Sequence, residues 1–74
     1  MNRQELKQTI RTLSSGTIAQ AVNSTRYSVI DKAVNNAIIY ASEQASDAEI
    51  AACTELDDVL SFIREHQNYR PSWA

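Results

Sequence analysis

From Tyr27 to Tyr69 the sequence contains neither glycine nor proline, the two residue types that most readily interrupt a helix. Alanine is frequent through this stretch, and larger apolar residues return at spacings of three and four, the signature of amphipathic helix. An all-α fold follows, with one predicted break at Ala45–Asp47. The sequence predicts a small antiparallel helical hairpin extended to a three- to four-helix bundle, dimeric, forming a single domain over residues 1–74.

The predicted helices span about 2–13, 17–23, 27–45 and 47–68, followed by a short tail at 70–74. In the first, Leu6, Ile10 and Leu13 form a narrow apolar seam beside a stripe of Arg3, Lys7 and Arg11. Gly16 is expected to end it as a left-handed cap. Ile18 and Val22, one turn apart, indicate a second short helix, and Ser24 or Thr25 is then placed to cap the third. Residues 27–45 carry a broad apolar face of Ile30, Ala33, Val34, Ala37, Ile38, Ala41 and Ala45, wide enough to touch two neighbours. Ile39 falls among the polar residues of that helix.

Ser46-Asp47-Ala48-Glu49 reads as a capping box opening the last helix, with Asp47 and Glu49 complementing its dipole. Its expected core face is Ala52, Cys53, Leu56, Val59, Leu60 and Ile63. Phe62 and Tyr69 project to one side of that face, which marks them for an interface. Pro71 stops the helix, and Trp73 is left in a tail that has no need of tryptophan unless it docks.

A chain of 74 residues buries only about 60% of its unfolded surface, so a supplement to its core is expected. Cys53 is the sole cysteine, which removes disulfides, and Cys53 with His66 is too sparse a ligand set for zinc. No metal or cofactor is expected. Self-association or capture by a larger protein remains as the way to complete the core.

The formal net charge is −2, with Asp47, Glu49, Glu55, Asp57, Asp58 and Glu65 gathered in the second half. Met1 to Leu13 is too polar for a signal peptide, and no run approaches the ~20 apolar residues of a membrane span. The expected location is the cytoplasm.

Catalytic machinery is not expected, because His66 has no visible nucleophile or partner and Cys53 falls on an apolar face. The acidic residues diverge around the helix and read as a solvated edge able to steer a basic partner. The leading expectation is a non-enzymatic protein–protein interaction module, a small regulator or inhibitor that occludes a larger protein. Its interface residues would be Ile39, Phe62, Tyr69, Trp73, Glu55 and Asp58.

An alternative is a dimeric DNA-binding regulator with a helix-turn-helix-like segment at 17–32. It would use Arg26, Tyr27 and Lys32, helped by Arg3, Lys7 and Arg11, although the low total of Lys and Arg argues against it. A purely structural homo-oligomer is the third reading.

Overall fold

The computed structural model of the chain describes residues 1–73, and five α-helices lie among them: α1 (Arg3–Thr12), α2 (Ser15–Val22), α3 (Tyr27–Glu43), α4 (Asp47–Ala52) and α5 (Leu56–His66). The tail predicted over residues 70–74 is described as far as Trp73, and Ala74 lies outside the described residues. The helices form a slab of 31 × 30 × 17 Å. The all-α expectation holds, with one more helix than the sequence patterning suggests.

Local chemistry explains most of the boundaries. Asn2 opens α1 through a capping box: its side-chain oxygen accepts from the Glu5 amide at 2.8 Å, and Glu5 reaches back to the Asn2 amide. Ser14 starts α2 by accepting from the Thr17 amide, so only Leu13 and Ser14 separate the first two helices. Gly16 therefore sits inside the first turn of α2 and does not cap α1. The left-handed position is Asn23 (φ 54°, ψ 46°), the C-cap of α2, from which the Ser24 amide returns to the Ala19 carbonyl. Asparagine tolerates this conformation better than other non-glycine residues. The cap of α3 is Arg26, without a side-chain hydrogen bond, in place of Ser24 or Thr25.

α3 is the central element, packing against α1, α2 and α5. Ala33, Ala37 and Ala41, spaced four residues apart, are all buried along it. At its far end Arg3, from α1, donates to the carbonyls of Ala41 and Ala45 and pairs with Asp47 at 2.8 Å. A cation placed on the open carbonyls of a helix end satisfies both their hydrogen bonding and the dipole. Arg3, considered above for DNA contact, is thus committed to joining α1, α3 and α4.

The helix predicted over 47–68 is two helices. α4 begins as expected at the Ser46–Glu49 capping box but stops at Ala52, and Cys53 is extended (φ −81°, ψ 100°). The cause lies in Thr54-Glu55-Leu56-Asp57-Asp58. The Asp58 carboxylate accepts from the Thr54 amide, the Thr54 hydroxyl and the Glu55 amide, all within 3.1 Å. Those amides no longer need helical carbonyl partners, so the side chain competes successfully with helix continuation. α5 then ends at His66, short of the predicted Asn68.

The inward face of α5 keeps the expected Val59 and Ile63 but turns Phe62 in and Leu56 out. Val59, Phe62 and Ile63 face inward from α5, whereas Ala52 is exposed and Leu56 is 50% exposed. Phe62, expected on an outward interface, is 5% exposed and belongs to the protein's own core. The buried apolar residues form one cluster drawn from all five helices, with no buried polar or charged side chain among the described residues.

Candidate functional site

Three helices and the C-terminal segment converge on Tyr40. Its ring stacks on His66 with centroids 3.7 Å apart and planes 14° apart. It also meets Phe62 at 5.7 Å and the edge of Tyr69 at 5.2 Å. The Tyr40 hydroxyl donates to Glu49 of α4 at 2.7 Å. That bond raises the pKa of Tyr40 above the ordinary phenol value and lowers that of Glu49, because it is made best by neutral phenol and ionised carboxylate.

His66 is fixed from its other side. Its Nδ1 lies 2.8 Å from the Phe62 carbonyl, and a carbonyl only accepts, so Nδ1–H is the donor of this bond. His66, Phe62, Glu49, Asp58 and Glu65 border a shallow depression of about 290 Å³ whose floor includes Cys53. Burial, followed by the Asp58 charge, pushes the Cys53 thiol above its ordinary pKa, which opposes thiolate chemistry. Among the described residues no three metal-ligating side chains are placed to hold an ion.

Trp73 lies at the other edge of this cluster. Its indole Nε1–H donates to both Glu43 oxygens, at 3.0 and 3.1 Å, yet the residue is 67% exposed. The polar atom is satisfied while most of the ring faces solvent. Ile39 stands one turn before Glu43 on α3, so both belong to one stripe of the helix. It is partly exposed and is outside the set of residues packed on the core.

Of the interface residues expected from sequence, Ile39, Tyr69 and Trp73 gather around the outer half of α3. Phe62 lies beneath them as core. Glu55 sits apart as the cap residue of α5, and Asp58 both holds the helix break and borders the depression beside Phe62 and His66. Hydrogen bonds from Thr54 and Glu55 keep the Asp58 carboxyl below its ordinary pKa. Tyr40, Glu43 and Glu49 were not expected. The spacing of Asn36, Tyr40 and Glu43, a polar and aromatic stripe on one side of α3, is the signal that could have found the first two.

The residues of the nucleic-acid reading separate differently. Arg26, Tyr27 and Lys32 are exposed at the start of α3, with Tyr27 at 75%, and Arg11 is exposed at the end of α1. Lys7 is half-buried, and Arg3 is held as described above. Residues 1–32 carry five cations and two acids, a net +3, and residues 33–74 carry the complementary −5. No protein-family model, curated protein or solved structure gives a significant match to this chain.

Proposed function

We propose that this protein is a non-enzymatic protein–protein interaction module, a small cytoplasmic regulator or inhibitor that binds and occludes a larger protein. The observation that carries the reading is Trp73. A large aromatic ring whose hydrogen-bonding need is already met by Glu43 is left mostly in water. Most of such a ring remains available for burial against a partner, as with interface anchors. The half-exposed Ile39 extends the patch, and the −5 charge of the second half favours a partner with a basic surface. In this reading α3 and α5 pair antiparallel and a homodimer is the self-associated state.

Affinity capture from the native cell with wild-type protein and Trp73→Ala, each checked for equal helicity, tests it. A partner retained by the wild type and reduced at least tenfold by the variant, about 1.4 kcal/mol, is the expected result. Equal capture by both proteins contradicts it.

A second reading is favoured by one arrangement. α2 and α3 are joined by the four residues Asn23–Arg26, and Arg26, Tyr27 and Lys32 stand exposed at the start of α3. A dimeric DNA-binding regulator built on this pair would show duplex affinity falling steeply with salt. Absence of duplex binding at low salt removes it. A purely structural homo-oligomer is distinguished from both by association, seen in light scattering, that persists in Trp73→Ala.

A further inference from the structure

The contacts of the C-terminal segment fall in chain order along one line of α3. The Gln67 carbonyl accepts from Asn36 Nδ2 at 2.8 Å, Tyr69 meets the Tyr40 ring edge-on, and Trp73 donates to Glu43. Positions 36, 40 and 43 are spaced by four and three and form a single helical stripe. That stripe is roughly 10 Å long at ~1.5 Å per residue. The segment Gln67–Trp73 could reach ~20 Å if drawn straight. It therefore lies slack along the stripe.

Its fastenings are few. Pro71 is buried and Tyr69 half-buried, but Arg70, Ser72 and Trp73 are exposed. Among the described residues its backbone hydrogen bonding ends with the Tyr69 amide on the His66 carbonyl, and Pro71 has no amide to offer. Its contribution to the interior is confined to Pro71 and part of Tyr69, whereas the fourteen buried residues of the central cluster all lie between Leu6 and Ile63. A segment with little buried surface and few internal hydrogen bonds opens at far lower cost than the elements beneath it.

We infer that Gln67–Trp73 is a releasable strap, which unfastens from the Asn36–Tyr40–Glu43 stripe while the five helices stay folded, and that in its released state it carries Trp73 outward to the protein partner. The reach of ~20 Å is a large fraction of the 31 Å length of the molecule, so release widens the volume in which Trp73 meets a partner. A released indole loses Glu43 as acceptor. The pocket that fits it is apolar, with a carboxylate or carbonyl oxygen replacing Glu43. The capture step rests on the protein-binding reading; the release step stands on the geometry alone.

Trp73 is the only tryptophan, so its emission reports the strap and nothing else. The test is a thermal ramp of the full chain, following acrylamide quenching of Trp73 and helical circular dichroism together. In the wild type, Trp73 is expected to become as quenchable as in a free peptide of residues 67–73 before helix is lost. In the double variant Asn36→Ala, Glu43→Ala, it is expected at the peptide level at room temperature, with the helical signal retained.

Coincident loss of both signals in the wild type overturns the inference, as does peptide-level quenching in the wild type at the start of the ramp. The wild-type ramp decides even if the variant fails to fold. A failure of partner capture leaves these outcomes unchanged, so the two readings fail separately.

Discussion

Replacing Arg3 with methionine keeps most of the aliphatic stem and removes the guanidinium that joins three helices. Two of its hydrogen bonds reach the carbonyls of Ala41 and Ala45, residues that are themselves buried, and the third reaches Asp47, whose side chain is fully exposed. A hydrogen bond from a charged donor is worth ~1.5–3 kcal/mol, and about a third of the Arg3 side chain is exposed, which places the pair of carbonyl bonds near the lower limit. The surface ion pair adds little.

The expected loss is therefore about 2–3 kcal/mol, against a total stability of ~4–11 kcal/mol for a chain of this length. At ~4–8 °C per kcal/mol, the melting midpoint of Arg3→Met should fall by roughly 10–20 °C in circular dichroism at 222 nm. Asp47→Ala should melt close to the wild type, and the deficit of Arg3→Met should persist at high salt, since carbonyl bonds are screened less than an exposed pair. An Arg3→Met variant within ~0.5 kcal/mol of wild type, the range of an ordinary surface substitution, refutes the reasoning. So does an Asp47→Ala variant that melts as early as Arg3→Met.

Other expectations follow from the core and from the titrating groups. Phe62→Ala should cost ~3–5 kcal/mol, enough to leave much of the chain unfolded by circular dichroism, as a core aromatic does and an interface aromatic does not. Glu49 and Asp58 both have folded-state pKa values below their ordinary ones. Their contribution to stability is present above the ordinary carboxylate range and is lost as pH falls through the depressed values. Urea midpoints should accordingly decline over that acid window, and the decline should shrink in Glu49→Gln, Asp58→Asn. Cys53, buried with its thiol pushed up, should resist thiol reagents near neutral pH until the protein unfolds. Rapid modification of folded protein would contradict its placement.

The sequence carried the helical class, α1, the extent of α3 and the start of α4, because these follow from periodicity and from short-range capping. Asn2–Glu5 and Ser46–Glu49 are reciprocal caps made by neighbours in sequence. The end of α4 escaped the same reading. Thr54 followed by Asp57 and Asp58 is itself a helix-start pattern, but it sits within a run whose apolar spacing reads as uninterrupted. A single helix over 47–68 places Val59 and Ile63 inside, as the structure does, but turns Phe62 outward and Leu56 inward, the reverse of what the separate α5 shows. At Gly16 the limit is different: glycine permits a left-handed cap but does not require one, and Asn23 takes that role instead.

The candidate site was legible in part. Trp73 and Ile39 stood out because an apolar side chain was placed where the pattern called for a polar one. Tyr40 fits the flank of its helix face without conflict, and the rings that meet it, His66 and Tyr69, lie 26 and 29 residues further along the chain. Arg3 looked like one of three surface cations on a stripe. Its true role depends on where the end of α3 lies in space, which no local pattern encodes.

Equilibrium urea denaturation of Trp73→Ala beside the wild type addresses the central claim with least ambiguity: that five helices close their own core and leave the last aromatic ring free for another protein. Midpoint and slope within error of the wild type are predicted, since the indole is 67% exposed and held by one carboxylate. A loss of several kcal/mol, on the scale of ~3–5 expected for a buried aromatic, would show that Trp73 seals the core and contradict the account.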